Sequence, residues 1–328
     1  MKKAAFFLAE VLGCTLLIQA MGAVLFGLPL PGIVGQLGTW FLFGLAVLLL
    51  AWIFNKLLRG QGLRALGFRY HKSFGADVWS GVCGFAVLNL LSLPFDLAAL
   101  SDRANMAHAI VGQCHFSSPF EILVGGAALA VALGFFTGAF HEEIRFRGYY
   151  QGAGATELTP LAGFIIALIP FSLGHYYTQS SWSPVQVLAT IIPGIVLGLL
   201  YYATQSLVVV MTAHTLANVL SFFPQLLHEV TGSHAVTVAA VVALFLLSLL
   251  LIVLRWSKEL RGWRAATLRL FGERSVFAIV AGLVIGLALL VLWSYRPPAV
   301  FSALAGTVLF GVALWGKKAV RITATRRR

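Results

Sequence analysis

The chain has 328 residues, of which 59% are hydrophobic and only 10% charged, with a mean hydropathy of +0.91. A water-soluble domain of that make-up would expose large apolar patches, so a soluble globular protein is excluded. The formal net charge of +12 would suit a nucleic-acid surface, but the basic residues sit in short stretches between apolar runs, which is a topology signal.

In hydrocarbon every backbone amide must bond within the chain, so apolar runs that cover about 30 Å of bilayer core at about 1.5 Å per residue read as helices. The predicted fold class is all-α, a polytopic transmembrane helical bundle of about ten spans: 4–28, 33–54, 76–95, 122–152, 160–175, 185–203, 206–223, 235–254, 276–293 and 299–315. Met1-Lys2-Lys3 before the first run imitates a signal peptide, but the run exceeds a typical h-region and reads as an uncleaved anchor. Cys14, Cys83 and Cys114 are odd in number, and the first two lie in apolar runs without ligand spacing, so no disulfide framework follows.

With the N-terminus inside, every lysine and arginine except Arg103 and Arg296 falls on the inner side. That bias predicts cytoplasmic N- and C-termini in the inner membrane of a bacterium. Anionic membrane lipid, not nucleic acid, is then the expected partner of the tail Arg326-Arg327-Arg328. The chain reads as a single membrane domain, 1–328: N-terminal spans over 1–119, a core over 120–225 and C-terminal spans over 226–328. Within the last part, the basic loop 255–275 interleaves Lys258, Arg261, Arg264 and Arg269 with Trp256, Leu260, Trp263 and Leu268, the pattern of an amphipathic helix at the inner interface. The final two spans contain no ionisable residue in their apolar stretches and look like an appendage to the bundle.

Charges inside hydrocarbon cost at least about 2.5 kcal/mol each on insertion scales, so ionisable residues within spans are candidate sites. Glu10 reads as paired or interfacial, and Asn89 as an interhelical hydrogen-bond former. The fourth span carries His141-Glu142-Glu143-Ile144-Arg145-Phe146-Arg147. Successive residues turn about 100° around an α-helix, so Glu142 and Glu143 should not share a face, whereas Glu143 and Arg147 can pair and leave Glu142 for chemistry. The competing reading is an interface cluster whose arginines snorkel to headgroups with both glutamates as counter-ions. His141 reads as a neighbour, because Arg145 stands where a zincin's second histidine belongs.

His175 ends the fifth run in Phe171-Ser172-Leu173-Gly174-His175, a place where a lone histidine is more often interfacial than a ligand. His214 lies well inside the seventh run, with Asn218 one turn further on the same face. Counted along the helices, the depths of Glu142, His175 and His214 agree within about two turns, which permits a shared site near mid-membrane facing the cytoplasm. His71, His108, His115, His228 and His234 fall in loops or at span ends and read as solvated.

Glu142-Glu143 with Arg147 resembles the EExxxR motif of the CPBP intramembrane metalloproteases, also called the type II CAAX prenyl protease or Abi family. Phe171 to His175 resembles its FxxxH, and His214 to Asn218 its HxxxN, in the same order over roughly 120–225. The resemblance implies an intramembrane endopeptidase acting on a membrane-associated peptide, CAAX-like, lipidated or otherwise membrane-delivered. It implies that Glu142 acts as general base on a water with His175 assisting, that His214 and Asn218 stabilise the oxyanion, and that Glu143, Arg147 and Phe171 support them. Two histidines and a carboxylate also suit a catalytic zinc, so a divalent metal, if bound, would be held by Glu142, His175 and His214. Two other classes stay open: a proton-coupled membrane transporter using the same groups as a relay, and a catalytically silent membrane scaffold.

Overall fold

The structure, a computed structural model, describes residues 2–28, 32–98, 116, 118–174, 184–255, 259–272, 275–295 and 298–325. Among them the regular elements are all helical: α1 (Lys2–Phe26), α2 (Gly32–Arg59), α3 (Phe74–Ala98), α4 (Pro119–Glu157), α5 (Pro160–Gly174), α6 (Pro184–Thr204), α7 (Leu207–Thr231), α8 (His234–Arg255), α9 (Glu259–Phe271), α10 (Val276–Tyr295) and α11 (Ala299–Thr325), with a short 3₁₀ turn at Leu63–Leu66. Helix ends follow local chemistry. At the start of α4 the Ser118 side chain accepts the backbone N–H of Glu121 at 3.2 Å, and Pro119 occupies the first turn, where its missing N–H costs nothing. α7 stops at Gly232, whose φ of 62° is the left-handed conformation a side chain would resist.

Among the described residues seven helices, α1, α2, α3, α4, α7, α8 and α11, are long and apolar enough to cross a membrane; α9 with α10 makes an eighth if that pair, bent by 99°, is one span. α5 and α6 are apolar but shorter. The molecule is therefore an all-helical integral membrane protein, and each of the ten expected runs is helical. Packing places α4 to α7 at its centre: α4 lies against α2 and α7, α5 against α6 and α10, and α3 against α6, α7 and α8. The principal core draws Ile144 and Phe146 from α4, Phe171 from α5, Leu197 from α6 and Val210 from α7, so the polar residues of α4 emerge inside the apolar bundle. Asn89 makes the expected interhelical bonds, its amide donating to Ser248 Oγ at 2.9 Å and to the Leu244 carbonyl at 3.2 Å.

The last two helices are not an appendage. α10 packs along α5, and α11 runs along α1, where a Cβ on Gly13 would lie 3.0 Å from the Gly306 carbonyl oxygen and one on Gly306 2.9 Å from that of Gly13. Such a glycine pair lets two helix backbones approach closely in a membrane. An ionic clasp then joins four helices. Lys317 Nζ lies 3.2 Å from Glu10 Oε2 and 2.5 Å from Glu157 Oε1, Arg59 lies 2.7 Å from Glu10 and 3.1 Å from Glu157, and the Tyr149 hydroxyl donates to Glu10 at 2.7 Å.

Glu10 is thus paired, and it is fully buried. Removing one member of a buried charge network strands the rest, so Glu10→Ala should cost about 3–5 kcal/mol. A thermal unfolding midpoint in detergent equal to that of the wild type would show that the clasp holds nothing.

α9 is helical over Glu259–Phe271, while Trp256 and Lys258 of the amphipathic pattern lie outside the described residues. Ala266 and Leu270 are buried, while Arg261, Arg264, Leu268, Arg269 and Phe271 are exposed, and Leu270 packs with Leu161 and Phe164 of α5.

Candidate active site

α4 departs from α-helical geometry on both sides of its acidic pair. Gly134–Phe140 and Glu143–Gln151 are wound as wider π-turns, and His141 and Glu142 form the joint between them. Such turns are rare and concentrate at functional sites. Side chains help to hold the first one: the Thr137 hydroxyl donates to the Leu133 carbonyl and His141 Nε2 to that of Thr137, both at 2.7 Å. Across from this turn, Asn218 of α7 donates its amide to the Gly134 carbonyl at 3.2 Å.

Glu142 and Glu143 were expected on different faces, and their carboxylates lie beside different nitrogens of one imidazole, that of His214. Glu143 Oε1 accepts from His214 Nδ1 at 2.7 Å, and Glu142 Oε2 lies 4.0 Å from Nε2 on the opposite side of the ring. The expected Glu143 and Arg147 pair is present at 3.2 Å. Glu143 is fully buried, and the second side of its partner Arg147 donates to the Gly194 carbonyl of α6 at 3.3 Å.

The Arg147 guanidinium also stacks 3.9 Å above the Phe171 ring, and that ring meets His214 edge-on with centroids 6.0 Å apart. Phe171 therefore supports two members of the cluster at once. The snorkelling alternative fails: Arg145 and Arg147 are 2% and 1% exposed, with the Arg145 guanidinium 4.1 Å above Phe146. Both charges point into the bundle.

These contacts fix the proton on His214. A carboxylate only accepts, so Nδ1 carries the hydrogen shared with Glu143, and Nε2 is the atom turned toward Glu142. The 4.0 Å gap between Nε2 and Glu142 is too long for a direct hydrogen bond, yet one water about 2.8 Å from each group would fit it. His141 is a buried neighbour, stacked on Trp40 at 5.2 Å with Nε2 committed to Thr137. His175 lies outside the described residues. Among the described residues no three His, Cys, Asp or Glu side chains form a group that could hold a metal ion; Glu142 and His214 are the two described members of the expected ligand set.

Residues not anticipated from the sequence are Gly134 and Gly138, which face Asn218, and Gly194. The spacing Gly134-Phe135-Phe136-Thr137-Gly138 is a small-xxx-small pattern, a known mark of close helix approach, and could have pointed to the first two. Nothing in the sequence marks the Gly194 carbonyl as an acceptor.

Searches of curated proteins and of solved structures found no match. A family model described as type II CAAX prenyl endopeptidase, Rce1-like, matches residues 124–220, a stretch from α4 to α7 that contains all three motifs. Over that stretch the chain is similar to the Rce1-like type II CAAX prenyl endopeptidases.

Proposed function

We propose that the protein is an intramembrane endopeptidase that hydrolyses a peptide bond near the C-terminus of a membrane-delivered, CAAX-like peptide. The observation that carries this is the His214 imidazole held between two carboxylates, Glu143 at Nδ1 and Glu142 across a water-sized gap at Nε2. Glu142 takes a proton from the bound water, whose oxygen attacks the scissile carbonyl carbon, and the carbonyl π pair moves onto oxygen. His214 and Asn218 donate to that oxyanion. Because the Nδ1 hydrogen is already committed to Glu143, His214 can donate from Nε2 only as an imidazolium, whose charge the Glu143 carboxylate balances. When the tetrahedral intermediate collapses, the Glu142 carboxylic acid returns its proton to the departing amine.

His175 is assigned, from the motif it ends, to orienting the same water with Glu142. A divalent metal held by Glu142, His175 and His214 would further polarise that water; elemental analysis with chelator inhibition and rescue tests for it. Glu143, Arg147 and Phe171 position His214. For orientation we propose cytoplasmic termini in a bacterial inner membrane, with α9 lying among anionic headgroups: its three exposed arginines flank Leu268 and Phe271, which suits a helix at the interface. The site then opens toward the cytoplasm.

The test that also identifies the substrate compares membrane peptidomes of cells carrying wild-type and Glu142→Ala protein. Peptides shortened at the C-terminus should appear with the wild type alone. Identical peptidomes would remove the support for proteolysis in the cell.

A further inference from the structure

Gly138 stands where the two proposed oxyanion donors meet. Its φ is not positive, so the backbone conformation does not require glycine and the reason must be space. A Cβ built on it would fall 2.6 Å from Asn218 Nδ2 and 3.7 Å from His214 Nε2. An oxyanion needs its donors about 2.7–3.1 Å away, so the volume a β-carbon would fill is close to the volume that oxygen must occupy. Gly134, one π-turn earlier, differs: a Cβ there would meet Asn218 Cβ at 3.1 Å and Val219 Cγ2 at 3.2 Å, which is helix packing. Its carbonyl accepts one amide hydrogen of Asn218 at 3.2 Å and so fixes how the amide is turned.

Resting on the peptidase function proposed above, we infer that Gly138 is a positioning residue for the reaction: its missing side chain forms the seat in which the scissile carbonyl oxygen is held between His214 and Asn218. The wide turn Gly134–Phe140 brings the backbone of α4 close enough to α7 to form that seat. The tetrahedral oxygen uses it more fully than the ground-state carbonyl, so filling it acts on the chemical step.

The test uses full-length protein in detergent micelles with a fluorogenic farnesylated CAAX peptide. Gly138→Ala should lower kcat by more than the roughly hundredfold that losing one oxyanion donor costs, because the methyl keeps the oxygen from both donors, with KM and the thermal midpoint close to wild type. Gly38→Ala, where a Cβ meets nothing within 4 Å, should match the wild type. Adding Asn218→Ala to Gly138→Ala should slow the enzyme no further, since the methyl already occupies the seat the amide serves.

A Gly138→Ala enzyme with wild-type kcat, or full multiplication of the two losses in the double variant, overturns the inference. If Gly138→Ala alone does not fold, the double variant lacks the amide that the methyl meets and is compared with Asn218→Ala; a slower double variant supports the seat, and equal rates overturn it. A folded wild type that leaves the peptide whole would defeat the peptidase function itself, a result distinct from either outcome for Gly138→Ala.

Discussion

Glu142→Gln should reduce turnover of a cleavable peptide about a thousandfold, the middle of the range for loss of a positioned general base. The amide keeps the size of the carboxylate and can still bond a water, but it cannot take the proton that turns the water into a nucleophile. Glu142 lies 4.0 Å from His214 Nε2 and carries 14% side-chain exposure, and the amide has the same shape, so the substitution disturbs packing less than a change at the fully buried Glu143 would. The folded state should survive, seen as an unchanged unfolding midpoint with KM little altered. A Glu142→Gln enzyme within tenfold of wild type would remove the base from the mechanism.

The second large effect is expected at Glu143, which never touches substrate. Its Oε1 holds both Arg147, at 3.2 Å, and His214 Nδ1, at 2.7 Å. Glu143→Gln replaces an acceptor that dictates the His214 proton with an amide that can present a donor instead, so the imidazole can turn the wrong nitrogen outward. In serine proteases the equivalent change from carboxylate to amide beside a histidine costs about ten thousandfold in kcat, and a loss of that order is expected here.

Stability should fall too, because Arg147 is 1% exposed and loses its counter-ion; breaking such a buried pair costs about 3–5 kcal/mol. The two effects separate experimentally. Below the lowered midpoint, folded Glu143→Gln should still be slow, since His214 would lose the acceptor that orients its ring. A folded Glu143→Gln variant with wild-type kcat would confine Glu143 to packing.

Much of the fold is legible in the sequence because hydrocarbon leaves the backbone few options. An apolar run that cannot find water must bond to itself, so each of the ten runs became a helix. The ends were less legible for a physical reason. Spans were expected to stop at the first charges, as at Phe54 before Lys56 and Arg59, yet α2 continues to Arg59, which turns inward to meet Glu10 and Glu157. A charge signals an end only when it goes to solvent, and its partners here come from distant helices that local pattern does not reveal. The same blindness made the last helices look peripheral: Lys317 is a clasp residue only once α1 and α4 are beside it.

At the site, the residue types and the Glu143 and Arg147 pairing could be read from spacing. The placing of Glu142 and Glu143 on either side of one imidazole could not, because His214 comes from a distant helix that local pattern does not put beside them. Phe171 could be placed in a motif, but not on the face of Arg147.

The most direct measurement is cleavage by purified full-length protein of a farnesylated CAAX peptide in heavy-oxygen water, read by mass spectrometry. The expected result is a C-terminally shortened peptide carrying one heavy oxygen in its new carboxylate, formed by the wild type and lost in Glu142→Gln. Prenylated peptides left whole by the folded wild type, together with pH-driven uptake or release of a solute in proteoliposomes that depends on Glu142 and His214, would contradict the account and identify a carrier.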